Sequence, residues 1–248
     1  MKKNFTIEDG VNSLFLSNGM TDIPKWEYLP KTENDYTEQI IINGEIYPIF
    51  YWRQDPRIQA IMRNGKYNIG GSCSAKISGM IDRTYGLKAF LYKEIDNAEW
   101  ILDSKIKKMT AFVNQNAANV LLKMENEKVA VLELGATLPK GTEEQTRHTV
   151  WGKMGMESTR VVSTKIRPQS VYLYTDRTEP YTFNDATVEL YGLSLYDATI
   201  AVSIFKMLTG KVDLAWLKSR ERQLITYINN VYASSDNEQS IIFEEAVE

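Results

Sequence analysis

Two residues occur once each in this chain, Cys73 and His148, and they bound its chemistry. A nucleophilic triad would need His148 as its base, and one cysteine with one histidine cannot furnish a zinc site of those ligands. His148 sits in RHTVWG, a run that reads as strand. There a structurally hydrogen-bonded histidine is the plainer reading, and a ligand or acid–base contact is the sharper one. Cys73 has no histidine near it in sequence and reads as a buried helix residue rather than a reactive thiol. Asp82 and Arg83, at the end of GMID, either line a pocket or pair with neighbours. Trp151, Tyr172 and Tyr174, with Tyr181, Phe183 and Tyr191, concentrate aromatic rings in one region, suited to stacking on a sugar or filling an interface. His148, Trp151, Asp82, Arg83, Tyr172 and Tyr174 are the candidate ligand-binding residues. No residue is assigned to catalysis, cofactor or metal, because among 32 acidic residues no carboxylate pair stands out by spacing.

The stretch GGSCSAKISGMID at 70–82 has the look of a phosphate cradle. A dinucleotide loop needs G-x-G-x-x-G directly after a strand, for the tight turn and close approach to pyrophosphate. Gly70-Gly71 does not match, and Lys76 lacks the preceding glycine of a P-loop. The plainer reading is a glycine entry to a helix that packs closely.

The chain has 248 residues, of which 43% are hydrophobic and 25% charged, an ordinary globular composition with ample core material. A formal charge of −3 argues against a nucleic-acid partner held by a basic stripe. Two lysines at the start have no apolar run behind them, and no segment reaches the length of a membrane span. The expectation is a cytoplasmic protein with neither membrane nor nucleic acid as partner.

Residues 1–38 read as mostly extended or irregular. EQIIINGEIYPIFYW gives two strands around Asn43-Gly44, a dipeptide suited to a type I′ turn. DPRIQAIMRNG reads as a short helix capped at Asp55 and stopped at Gly65. Over 71–103 the three- and four-residue spacing of Ile77, Met80, Ile81, Tyr85, Leu87, Phe90 and Leu91 predicts helix. Strands follow from 106 to 176, with turns at Glu125–Lys128 and at 152–155. Two helices close the chain. One carries Leu195, Val202, Phe205 and Leu208 on a stripe; the other opens at Asp213 with Leu217, Leu224, Ile228 and Val231 on one face and a charged surface around Arg220. QSIIFEE reads as a last strand. Helices, then a run of antiparallel strands, then helices give an α+β class.

In order, the glycine pair with MID, the hairpin NVLLKMENEKVAVLELGA, the run HTVWGKMGMES, SVYLYTD, LSLYDATIAVSIFKMLTGK and QLITYINNVYASS resemble the C-terminal domain of the Gfo/Idh/MocA oxidoreductases. That family acts on sugars and inositols with a nicotinamide cofactor. The resemblance covers residues 70 to 234 and implies a large, mostly antiparallel open sheet with helices packed on one face. It further implies a homo-oligomer formed through the free face. Residues 1–69 then form an N-terminal extension and 70–248 the α+β domain.

The departures from the family pattern bear on function. A recognisable Rossmann domain, with its glycine loop and Glu-Lys-Pro lysine, has no match before Gly70. Aligning MID places Ala75 and Gly79 where the family's aspartate and histidine stand, and neither residue can hold a proton. The reading is a non-catalytic, oxidoreductase-like protein without cofactor, binding a small polyol or sugar-like ligand or acting as an accessory or oligomerisation subunit. The alternatives are the substrate half of a split NAD(P)-dependent dehydrogenase, completed by a separate Rossmann-domain partner, and a purely structural interaction protein.

Overall fold

The structure is a computed structural model, and it describes residues 5–159, 170–175, 181–184 and 193–243. The chain forms two compact units, one of residues 1–56 with 185–223, the other of residues 57–184 with 224–248.

The first unit begins with α1 (Ile7–Ser17). The expectation of irregular structure over 1–38 fails here, because Thr6 and Asp9 form a reciprocal capping box that satisfies the first free amides. A three-stranded antiparallel sheet follows: β1 (Trp26–Leu29), β2 (Gln39–Ile42) and β3 (Glu45–Pro48). Asn43 and Gly44, at φ 52° and 86°, make the two-residue turn between β2 and β3, as the dipeptide requires. Helix α4 (Leu195–Leu208) packs against α1, with the Phe15 and Phe205 rings edge-to-face at 5.1 Å. The inward face of α4 is Ile200, Ala201, Ile204, Phe205 and Met207; Leu195, Val202 and Leu208 are only half-buried, so the predicted stripe is displaced around the helix.

The second unit opens with α2 (Pro56–Tyr67, Pro56 itself belonging to the first unit), which runs through Gly65 rather than ending there. Next comes β4 (Ser72–Asp82), an eleven-residue strand where the spacing predicts helix. Apolar residues at 77 and 81 satisfy a period of two as well as one of about four, and the sheet decides between them. Ala75 and Ile77 are buried, while Lys76, Ser78 and Met80 point the other way. Helix begins only after Gly86, as α3 (Leu87–Leu102). Cys73 accordingly lies exposed on a strand, not buried in a helix.

The remaining strands are β5 (Ile106–Val113), β6 (Ala117–Met124), β7 (Val129–Leu138), β8 (Gln145–Gly152), β9 (Gly155–Ser158), β10 (Ser170–Thr175) and β11 (Tyr181–Asn184). After α5 (Leu214–Asp236), whose residues to Gln223 belong to the first unit, β12 (Ile241–Ile242) pairs with β5. The sheet order is β11-β10-β9-β8-β4-β7-β6-β5-β12. Only the central β4–β7 pair is parallel; every other pair is antiparallel. This is the α+β class with one large, mostly antiparallel sheet.

Strand alternation divides the sheet into two faces. Against β4, β6 and β7 lies α3, over Ile77, Val120, Leu122, Leu132 and Leu134. The C-terminal part of α5 joins this unit through Ser234, whose hydroxyl accepts from the Ala111 amide at 3.0 Å. Leu217, Leu224, Ile228 and Val231 of α5 are buried, as the sequence pattern predicts, but so is Arg220, read from sequence as solvated.

Two glycines set how closely these parts approach. A Cβ at Gly79 would stand 2.6 Å from the Thr146 methyl and 2.9 Å from the Phe90 ring, so its absence lets α3 sit down on β4. A Cβ at Gly152 would fall 2.1 Å from the Ile69 carbonyl oxygen, where the β8–β9 hairpin crosses the Gly70-Gly71 entry. Among the described residues no helix is long and apolar enough to cross a membrane.

Candidate functional site

Helix α3 is buried along almost its whole length although it reads LKAFLYKEIDNAEWIL. No orientation of this sequence can put Phe90, Leu91, Ile95, Ala98 and Leu102 inside while leaving Lys93, Glu94, Asp96, Asn97 and Glu99 all in water. Buried charge needs partners, and α3 finds them on neighbouring elements. Glu99 accepts from the Ile106 amide at 2.7 Å and the Tyr227 hydroxyl at 3.0 Å, an accounted-for structural tie.

Lys93 and Glu94 belong to a different arrangement. His148, facing inward from β8 opposite Ile77, places Nε2 2.7 Å from Glu94 Oε2. Asn97 Nδ2 donates to the same oxygen at 3.0 Å. Lys93 Nζ lies 3.3 Å from Glu94 Oε1 and also pairs with Glu144, just before β8. Glu144 in turn accepts from Thr146 Oγ1 at 3.0 Å. The order Glu144–Lys93–Glu94–His148 is a continuous chain of titratable groups. It starts at the one-third-exposed Glu144 and ends at Glu94 and His148, both fully or nearly fully buried.

The electrostatics follow from this geometry. Burial pushes the Glu94 carboxyl up, but the charges of His148 and Lys93 and the bonds from His148 and Asn97 outweigh it and hold Glu94 below the usual carboxylate range. An ionised Glu94 can only accept, so His148 Nε2 carries the hydrogen of that bond. Burial opposes the Lys93 charge, yet Glu144 and Glu94 together hold the ammonium above its ordinary value. Glu157 on β9 is the opposite case. It is fully buried, and burial alone pushes it up to about 8.

Several acceptors here remain unused: among the described residues, Asn97 Oδ1, Glu94 Oε1 and both Glu157 oxygens have no hydrogen-bond partner. Glu94 Oε1 still faces the Lys93 charge. Native interiors leave few such atoms, so a cluster of them asks for a donor. No group of three or more His, Cys, Asp or Glu side chains among the described residues is arranged to hold a metal ion.

Of the residues marked from sequence, only His148 enters this cluster. Asp82 ends β4, and its carboxylate accepts from the Thr84 amide and hydroxyl and from the Gly141 amide, which ties down the loop that delivers Glu144. Arg83 begins the short 3-10 turn after it. Trp151 points to the opposite face of the sheet and is 38% exposed. Tyr172 and Tyr174 lie on β10, with side chains outside the described part of the structure; Tyr191 lies outside the described residues altogether. Ala75 and Gly79 do not mark vacated proton-handling positions on a helix, because both are strand residues of β4. The groups able to hold protons stand instead on α3 and β8. Lys93, Glu94, Asn97, Glu144 and Glu157 escape sequence reasoning as single residues. The available signal was collective: too many charges for one polar stripe in FLYKEIDNAEW.

No family model matches the chain, and no curated protein is similar to it in sequence. Solved structures do match in fold. An oxidoreductase from Agrobacterium radiobacter, in complex with NAD+, L-tartaric acid and magnesium, aligns with a TM-score of 0.62 at 13% identity, covering 97% of this chain and 71% of its own. Levoglucosan dehydrogenase, solved with NADH and L-sorbose, aligns with a TM-score of 0.63 at 12% identity, covering 79% of this chain and 65% of its own. A Thermotoga maritima protein classed with oxidoreductases gives 0.58 at 14%, over 79% of this chain and 63% of its own. This chain thus spans less than two thirds of the length of the last two. The fold is the one that the resemblance to the Gfo/Idh/MocA family implies.

Proposed function

We propose that this chain is an oxidoreductase-like ligand-binding protein that holds a small polyol or sugar-like molecule against Lys93, Glu94, Asn97 and His148. The carrying observation is the buried polar cluster on the helix-covered face, in which the Asn97 Oδ1 acceptor stands unpaired beside an ionised Glu94. A hydroxyl both donates and accepts, so a polyol offers a donor to Asn97 Oδ1 and an acceptor to Lys93. Entry is at the Glu144 end, where the chain of groups reaches solvent. This role needs no nicotinamide cofactor in the chain itself.

The second part of the reading is assembly. The uncovered face carries Trp151, Met80, Leu121 and Phe112, each between 38% and 66% exposed, around a Lys76–Glu133 ion pair at 2.7 Å. Large apolar side chains interspersed with paired charges suit a self-complementary contact between copies.

One observation favours a second reading. Lys93, Glu94 and His148 can hold and pass a proton, so the chain would serve as the substrate half of a two-chain NAD(P)-dependent dehydrogenase, with a separate Rossmann-domain protein supplying the hydride acceptor. Melting temperature separates the two. With D-sorbitol alone the first reading predicts a rise that Lys93→Met abolishes; a rise with NAD(P) alone contradicts the cofactor-free role. Absence of any polyol effect at saturating concentration rejects both.

A further inference from the structure

Glu157 has no part in the chain of groups described above, yet its position is distinctive. Val150 pairs with Glu157 across the β8–β9 ladder, and Val150 is buried toward α3, so Glu157 faces the covered side as well. His148 is joined to Thr159 by two bonds: its amide donates to the Thr159 hydroxyl at 3.0 Å, and its carbonyl accepts from the Thr159 amide at 3.0 Å. Glu157 is therefore the diagonal neighbour of His148 on the same face, roughly 7–8 Å away between backbones and less between side chains. It is fully buried, and neither oxygen has a hydrogen-bond partner among the described residues.

A carboxyl in this position lacks what every other buried acid nearby has. Glu99 has an amide and a hydroxyl; Glu94 has an imidazole, an amide and an ammonium. The lysine of the cluster, Lys93, is already shared between Glu94 and Glu144. With His148 neutral, Lys93, Glu94 and Glu144 sum to −1, and an ionised Glu157 brings the site to −2. With His148 charged, the same sum is −1. Unpaired, the Glu157 carboxyl rests protonated; its ionised form requires a positive charge beside it, because a buried carboxylate is stable only when paired.

Resting on the polyol-binding reading, we propose that Glu157 is a specificity residue and that the ligand carries an ammonium group, making it an amino-polyol. Its hydroxyls meet Asn97, Lys93 and the Glu94–His148 pair, and its ammonium, a few bonds along, donates to the two free Glu157 oxygens. Neutral polyols of the same length leave that carboxyl unpaired and bind more weakly.

The test is calorimetric titration of the full chain with D-glucamine and D-sorbitol, which differ by an ammonium in place of one hydroxyl. The expected result is about tenfold tighter binding of D-glucamine, roughly one favourable charge-assisted contact. Glu157→Gln keeps the shape and the fold, checked by circular dichroism, removes the preference, and leaves D-sorbitol affinity within about twofold. Equal affinities in the native chain, or a preference that survives in Glu157→Gln, overturn the assignment of Glu157 while leaving polyol binding intact. Failure of both compounds to bind the native chain overturns the underlying polyol reading and this proposal with it.

Discussion

Each face of the nine-stranded sheet departs locally from the ordinary distribution of polarity. On the covered side, Lys93 and Glu94 of α3 meet His148 of β8, with Glu157 on neighbouring β9, all four buried. On the open face, strands β8, β4, β6 and β5 expose Trp151, Met80, Leu121 and Phe112. Folding alone would place apolar side chains inside and charges outside, so each departure costs stability and asks for a reason elsewhere. The covered face answers with a network that satisfies most of its groups and leaves a few acceptors open. The open face exposes large apolar side chains that the proposed contact between copies would cover. Departures from the local pattern concentrate where a protein binds something.

Variants on each face sharpen this contrast. The largest effect belongs to Glu94→Leu, which strands Lys93 and His148 without their shared carboxylate. Loss of one member of a buried pair costs about 3–5 kcal/mol, read by urea denaturation; a loss below about 1 kcal/mol would mean the network carries little of the covered face's stability.

Next is Glu157→Gln, whose effect depends on pH. Below pH 4.5 the carboxyl is protonated in both folded and unfolded chains and contributes no slope. Between 4.5 and about 8 the unfolded chain ionises while the folded one keeps its proton, so native stability falls as pH rises, and the fall ends above about 8. The limiting slope is about 1.4 kcal/mol per pH unit. Glu157→Gln lacks this slope, so its advantage over the native chain grows from pH 5 to pH 8 in parallel melts. A constant difference across that range contradicts the buried, unpaired placement.

Gly79→Ala tests how closely the covered face is packed. The new methyl meets Thr146 and Phe90, and overpacking of that kind costs about 1–3 kcal/mol. The smallest effect on folding is expected on the open face. Trp151→Asp leaves monomer stability within about 0.5 kcal/mol but, if copies meet there, halves the mass seen by sedimentation. A large stability loss with unchanged mass would reverse the assignment of the two faces.

How much of this was legible in the sequence depends on how local the signal is. Asn43-Gly44, the Glu125–Lys128 turn, the hairpin between Gly152 and Gly155 and the Asp213 cap each encode their geometry within a few residues, and each is found. β4 was misread because Ile77 and Ile81 fit two periods at once, and only pairing with β7 and β8 selects the strand. α1 was missed although Thr6 and Asp9 spell its cap. That α4 joins the N-terminal segment in one unit has no local signature, since it depends on contacts across nearly two hundred residues. In the site, His148 was legible through its singularity. Lys93, Glu94 and Asn97 were not, because a helical lysine or glutamate is usually solvated and only burial under tertiary contacts makes these three distinctive.

The central claim is that the covered face binds a hydroxylated molecule at the α3–β8 cluster. A crystal structure grown with saturating D-sorbitol tests it most directly. The account predicts density for the polyol with one hydroxyl within about 3 Å of Asn97 Oδ1 and another beside Lys93 Nζ. A polyol seated on the open face around Trp151, or an unaltered Lys93–Glu144 pair with no polyol beside it, would contradict the account.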